Sequence, residues 1–227
     1  MRNSNRQWRL KRRPVGEIKP GDLELSDSPK PVPGKGEMLV RNIYLSLDPT
    51  NRIWMSDMEQ YMPPVGIGDV MRGGTLGVVE QSNAEGFAAG DIVIPGMGGW
   101  QDYTIGSASG PFPAQKLPKI PGVPLSTFMS ALGFTGATAY FGLLDLGKPQ
   151  PGETVVVSAA AGAVGQIVGQ IAKIKGCRVV GLAGSDDKCR YVVETLGFDA
   201  CINYKKENVA QALKRACPNG IDVDFEN

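Results

Sequence analysis

The residues whose types and spacing could do chemistry lie in one stretch, Thr154 to Lys188. Thr154-Val155-Val156-Val157 is a short apolar β-branched run, Ala159 to Gly165 is a turn of small residues, and Cys177 to Leu182 is a second apolar run. Between them Val164, Ile167, Val168 and Ile171 fall at i, i+3, i+4 and i+7, one buried stripe of a helix. Ala160-x-Gly162-x-x-Gly165 fits the dinucleotide fingerprint with alanine in place of the first glycine. Gly162 lets the backbone approach a pyrophosphate, and Gly165 lets the new helix pack against the strand. The helix N-terminus, reached through Ala163 and Val164, offers unpaired N–H donors and a partial positive charge. The rival reading of the same residues is a packing glycine in a βαβ unit that binds nothing.

The choice between nucleotides is made at the tip of the second strand. NAD enzymes place an Asp or Glu there, about 20 residues past the glycine turn, to bond the ribose 2′-OH. Here the tip is Ala183-Gly184-Ser185, small and uncharged, with room for a 2′-phosphate, and Lys188 follows within reach. NADP(H) is the expected cofactor. Asp186 and Asp187 count against it unless they occupy the first turn of the next helix, where negative charge is favourable.

Composition closes off other chemistry. With 24 Lys+Arg against 23 Asp+Glu, a net charge of +1 gives no electrostatic case for nucleic acid, and Arg9 to Arg13 reads as a solvated terminal segment. No run reaches the length of a membrane span and the first residues lack a signal-peptide core, so the expectation is a cytoplasmic protein that does not engage membrane. Cys177, Cys189, Cys201 and Cys217, spaced 12, 12 and 16 apart, form no C-x-x-C pair and read as reduced, mostly buried thiols. The chain has no histidine, so neither a Ser-His-Asp triad nor a His-ligated zinc is available within it, and no metal site is expected.

The elements around this stretch set the architecture. Before it, Gly36–Ser46, Gly73–Glu80, Ile92–Ile94 and Trp100–Ile105 read as short strands between Gly/Pro turns, which implies a compact barrel-like domain. A Pro-rich link, Pro111 to Pro124, leads to an apolar segment, Ser126 to Leu146, read as two helices around Gly133-Phe134-Thr135-Gly136. After Lys188 come a helix to Leu196, a strand at Ala200 to Asn203, a helix at Asn208 to Ala216, and a fourth strand from Asp222 to Asn227. A full dinucleotide sheet has six strands in two halves. Strands five and six are missing, and the expectation is a C-terminally truncated chain from a protein roughly a hundred residues longer.

Several strings carry a family resemblance: Tyr44-Leu45-Ser46-Leu47-Asp48-Pro49, Gly99-Trp100-Gln101-Asp102-Tyr103, Gly136 to Leu143, Ala159 to Gly165, Gly184-Ser185-Asp186-x-Lys188 and Asn203-Tyr204-Lys205. In this order they resemble the zinc-independent, NADPH-dependent alkenal, curcumin and prostaglandin reductases of the medium-chain dehydrogenase/reductase superfamily. The resemblance implies an α/β chain: a β-rich GroES-like N-terminal domain over residues 1–125, then an incomplete Rossmann parallel sheet with helices on both faces over residues 126–227. It implies an NADPH-dependent enone or enal reductase that moves hydride to the β-carbon without a metal, acting on a small molecule, with a homodimeric whole protein. Lys188 and Tyr204 are assigned to the 2′-phosphate, and Gly162, Ala163, Val164, Gly165, Ser185 and Asn227 complete the cofactor set. Tyr44, Thr50, Tyr61 and Thr138 are candidates for the substrate pocket, with Tyr140 a further phenol near it. The catalytic tyrosine proposed for the family falls beyond residue 227.

The chain departs from the family where relatives read Asp-Pro-Tyr-Met-Arg and it has Asp48-Pro49-Thr50-Asn51-Arg52. Thr50 lacks a ring to wall a substrate, and Arg52 reads as a structural anchor. The rival functions are a non-catalytic NADP(H)-binding redox sensor, a methyltransferase, which would want an acid where Ala183-Gly184 stands, and an alcohol dehydrogenase, which would want zinc ligands the chain lacks.

Overall fold

The computed structural model describes residues 4–227. They divide into two compact units, one ending at Val123 and one spanning Pro124–Asn227.

The first unit is antiparallel. Strands β1 (Ser4–Leu10) and β2 (Leu23–Pro29) pair with each other. Next come β3 (Glu37–Leu45), helix α1 (Pro49–Trp54), β4 (Thr75–Ser82), β5 (Ile92–Ile94), β6 (Tyr103–Ser107) and β7 (Gln115–Lys116). The last five strands form a sheet in the order β6-β3-β4-β5-β7. Register shifts in β3 at Leu39/Val40 and at Asn42/Tyr44 give the local twist that curls such a sheet. Gly77 is required in β4, because a Cβ there would sit 2.5 Å from the Arg41 carbonyl oxygen.

Arg9 to Arg13 is not a solvated tail, which corrects the reading from charge. Arg9 donates to Ser26 Oγ at 3.1 Å and to the Gly68 carbonyl at 2.8 Å, and Arg13 donates to the carbonyls of Met55 and Val65. The sequence hid β1 because its inward positions are polar. Asn5 is 2% exposed and is satisfied by Tyr103, donating to its carbonyl at 2.9 Å and accepting from its N–H at 2.8 Å. Helix α1 was also missed, being a single short turn and a half after Asp48, which accepts from the backbone of Asn51 in a capping box. Arg52 on this helix is the anchor expected of it, donating to the carbonyls of Pro14 and Gly16 and to Ser56 Oγ.

The second unit opens with a 3₁₀ turn (Leu125–Met129) and then α2 (Phe134–Phe141), which widens into a π-helical run (Gly142–Gly147). The expected pair of helices about Gly133 is therefore one short turn and one continuous helix that begins there. Gly136 is buried at its start because a Cβ would lie 1.9 Å from the Ala131 carbonyl oxygen. There follow β8 (Thr154–Val157), α3 (Gly165–Ile174), β9 (Arg178–Ala183), α4 (Asp186–Glu194), β10 (Ala200–Asn203), α5 (Val209–Ala216) and β11 (Val223–Phe225). All pairings are parallel, in the order β10-β9-β8-β11, which is the 3-2-1-4 order of a Rossmann sheet.

Alternation along the strands builds two cores. Val155, Val157 and Val179 face Val168 and Ala172 of α3 and Val192 of α4, while Val156, Val180 and Ile202 face Ala212 of α5. Helices therefore cover both faces, as parallel sheets require. The helical stripe is sharper than its apolar spacing suggested: Val168, Gly169 and Ala172 are its buried centre, and Val164, Ile167 and Ile171 flank it.

One polar contact secures this packing. Asp199 Oδ2 accepts from the Val179 N–H at 2.7 Å and from Lys173 Nζ at 2.9 Å, joining the turn before β10 to β9 and α3. Burial pushes its carboxyl up, but the Lys173 ammonium and the Val179 N–H outweigh that and hold it below the usual range. A carboxyl lowered on folding adds stability above its unfolded pKa and loses it as pH falls through the folded one. Asp199→Asn is accordingly expected to cost about 1 kcal/mol at neutral pH. It should also flatten the acid side of the stability profile, below about pH 4, in urea titrations. An unchanged acid limb would show that another carboxylate governs it.

Candidate nucleotide site

The site forms at the carboxyl ends of the parallel strands, where open α/β sheets bind ligands. A cavity of about 430 Å³ lies there, touching Ser158, Gly162, Gly184, Lys188, Tyr204 and Asn227 among others.

The turn after β8 is held by backbone contacts. Ala159 takes the left-handed conformation at φ 40°, and its carbonyl accepts from the Gly162 N–H at 2.7 Å. A Cβ on Gly162 would come 2.9 Å from that same oxygen, and one on Gly165 would come 2.5 Å from it and 3.0 Å from Ala160 Cα. Both fingerprint glycines are thus demanded by the backbone of the turn. Gly162 borders the cavity; Gly165 packs beneath it, Val164 packs on the core, and Ala163 is exposed.

Helix α3 differs from the next two in how it starts. Ser185 caps α4 by accepting from the Lys188 N–H at 3.3 Å, and Asn208 caps α5 by accepting from the Gln211 N–H at 3.1 Å. At α3 the cap position is Val164, and no side chain bonds the helix. The Gln166 N–H already donates to the Gly162 carbonyl at 3.1 Å and the Ile167 N–H to that of Val164 at 2.9 Å, which leaves the N–H groups just before them, at Val164 and Gly165, for a ligand such as a phosphate.

The strand-tip residues form the other end of the cavity. A Cβ on Gly184 would meet Tyr204 Oη at 2.7 Å, so an acidic side chain there, where NAD enzymes carry one, would have to displace the phenol. Asp186 and Asp187 occupy the first turn of α4. Asp186 pairs with Lys206 and accepts from Asn203 Nδ2 at 2.6 Å, contacts that lower its pKa in that order. Asp187 pairs with Arg190 at 3.3 Å. Lys188, next to both, forms no ion pair among the described residues and borders the cavity. The two carboxylates that counted against a phosphate are neutralised by other cations, and Lys188 is left to meet one. Ser185 spends its hydroxyl on the cap rather than lining the cavity.

Asn227 also borders the cavity, but its Nδ2 donates to the Ser158 carbonyl at 2.6 Å and its N–H to Ser158 Oγ at 2.8 Å. Sequence reasoning missed Ser158 and Glu226 as wall residues. The available signal was position, since each directly follows a parallel strand.

The substrate candidates fall in both units, Tyr44, Thr50 and Tyr61 in the first and Thr138 in the second. Tyr44 on β3 is 42% exposed, and Tyr61, 71% exposed, accepts from Trp54 Nε1 at 3.1 Å. Thr50 is half-buried in the first turn of α1. Thr138, in the second unit, is exposed on α2 and donates to the Phe134 carbonyl at 2.9 Å. None of the phenols Tyr44, Tyr61 and Tyr140 belongs to a core. Among the described residues no group of three His, Cys, Asp or Glu could hold a metal ion, and no helix is long and apolar enough to cross a membrane.

Comparison with known proteins agrees with this geometry. Residues 6–114 match the family described as N-terminal domain of oxidoreductase, and residues 163–227 the family described as zinc-binding dehydrogenase. NADPH-dependent curcumin reductase of Escherichia coli (strain K12) is 48% identical over 223 residues, 98% of this chain and 63% of that protein. The 2-alkenal reductase (NADP(+)-dependent) of Nicotiana tabacum is 42% identical over 231 residues, 99% of this chain and 66% of its own length. The crystal structure of CurA from Vibrio vulnificus in complex with NADPH superposes with a TM-score of 0.89 at 49% identity, covering 98% of this chain and 64% of that one. The chain thus spans a little under two thirds of the length of these relatives. It has the GroES-like and Rossmann architecture of the medium-chain dehydrogenase/reductase oxidoreductases, and it belongs to that family, in the group that holds the curcumin, alkenal and prostaglandin reductases.

Proposed function

We propose that the whole protein reduces the C=C bond of small α,β-unsaturated aldehydes or ketones with NADPH. The observation that carries the reading is the strand-tip constellation, an unpaired Lys188 beside Gly184 and Tyr204 where an NAD enzyme needs a carboxylate. Kinship to proteins named curcumin, prostaglandin and alkenal reductases supports the substrate class.

The residues suit their tasks. Lys188 supplies the charge for the 2′-phosphate and Tyr204 a hydroxyl that donates to it, while the uncapped start of α3 behind Gly162 takes the pyrophosphate. Ser158 and Asn227, hydrogen-bonded to each other, close the cavity at the ends of β8 and β11. When bound, NADPH supplies the hydride, and the protein's part is to orient it and exclude water.

Activity is to be measured on the full-length protein, following NADPH absorbance with a simple enone and identifying the product by mass spectrometry. The expected product has a saturated C=C bond and an intact carbonyl. Tight NADPH binding with no consumption across enones and enals would favour a non-catalytic NADP(H)-binding protein instead.

A further inference from the structure

Two thiols close in sequence to Lys188 and Tyr204 are paired. Cys201 on β10 donates its S–H to Cys189 Sγ on α4, with the sulfurs 2.8 Å apart. Both are partly exposed, whereas Cys177 and Cys217 are buried, and the Cys177 thiol contacts the Gln150 carbonyl at 3.4 Å. Cys189 follows Lys188 directly, and Tyr204 comes three residues after Cys201. The seam between α4 and β10 is already fastened one step away by Asp186, which accepts from Asn203 and pairs with Lys206.

We propose that Cys189 and Cys201 form a reversible dithiol–disulfide site that is closed by a peroxide, and that closure tightens NADP(H) binding by fixing the wall that carries Lys188 and Tyr204. The coupling to the nucleotide rests on the function proposed above; the disulfide itself does not. The hydrogen bond sets the order of events. Burial pushes the Cys201 thiol up, and donating to Cys189 raises it further, so Cys201 keeps its proton and acts second, and Cys189, the acceptor of that bond, is the attacking sulfur.

In the first step the Cys189 thiolate attacks a peroxide oxygen. The O–O bond breaks, Cys189 becomes a sulfenic acid, and the departing oxygen leaves as water or an alcohol after taking a proton. In the second, Cys201 sulfur attacks Cys189 sulfur, an S–S bond forms, and the hydroxide released combines with the Cys201 proton as water. Two electrons pass from the thiol pair to the peroxide, and a dithiol reductant returns them. The sulfurs need only a small approach to bond, so the closed wall keeps nearly the geometry of the open one. Fixing a wall in its binding geometry lowers the ordering cost of the ligand.

The purified chain is treated with hydrogen peroxide, quenched, alkylated and mapped by mass spectrometry, and NADPH affinity is read in parallel by fluorescence. The expected result is a Cys189–Cys201 cross-linked peptide about 2 Da lighter than the sum of its reduced parts, reversed by dithiothreitol. Cys177 and Cys217 should remain alkylatable after unfolding. NADPH affinity should rise roughly three- to tenfold on oxidation. In Cys189→Ser it should not respond to peroxide. Over-oxidation of Cys189 without a cross-link overturns the site in the wild-type chain, whether or not the variant folds. A cross-link that leaves affinity unchanged or lowers it overturns the coupling. No NADPH binding in either state, with the cross-link formed, overturns the nucleotide reading and leaves the disulfide standing.

Discussion

Lys188→Ala is expected to raise the Kd for NADPH about 10- to 100-fold while changing the Kd for NADH by less than about twofold. The asymmetry follows from where charge is already spent. Lys206 and Arg190 are held by Asp186 and Asp187, whereas Lys188 forms no ion pair among the described residues; Lys205, whose Cε would lie 3.4 Å from a Cβ on Gly184, is a second such cation at the strand tip. A charge-assisted bond to a phosphate contributes about 1.5–3 kcal/mol, and NADH has no 2′-phosphate to lose it. Because Lys188 is exposed, the preference for NADPH should shrink as salt rises. Lys188→Arg should keep most of the preference, since charge rather than a particular fork is what the site lacks. Titration of both nucleotides by fluorescence or calorimetry checks this, and equal losses for NADPH and NADH would contradict the assignment.

The legible parts of this molecule are those whose signal is local. The β-branched run at Thr154–Val157 forms the strand expected there, and the glycine turn after it is fixed by contacts to its own Ala159 carbonyl. Asn208 caps α5 as its type suggests. Cofactor choice could be read because Gly184 is small for a reason that lies close by in the fold, the Tyr204 hydroxyl. What stayed hidden depends on distant partners. β1 buries Asn5 and Gln7 against Tyr103 and Gln101, so its polar pattern reads as solvated until those partners are known. The pairing of Asn227 is the same kind of case, since Ser158, 69 residues earlier, takes its amide. The thiol pair was invisible for this reason too: a spacing of 12 says nothing until α4 lies on β10.

The distance between α3 and the sheet, and with it the position of the phosphate turn, depends on one ring. Phe198 is 3% exposed, with its edge against Gly169 of α3 and Gly181 of β9. A Cβ on Gly169 would lie 1.9 Å from the ring Cζ, and one on Gly181 3.2 Å from Cδ2, so the ring occupies space that two glycines vacate. Phe198→Ala is expected to lower stability by about 3–5 kcal/mol, from lost burial and an incompletely collapsed cavity. Gly169→Ala should lower it by about 1–3 kcal/mol, because strain against the ring exceeds the modest helix propensity gained. In the double variant the new methyl enters space the ring has left, and its helix propensity is then realised without the clash. The two costs should therefore fall short of adding by about 1 kcal/mol or more in a urea-denaturation double-mutant cycle. Strict additivity would mean that Phe198 and Gly169 do not share a cavity, and that something else sets the height of α3 above the sheet.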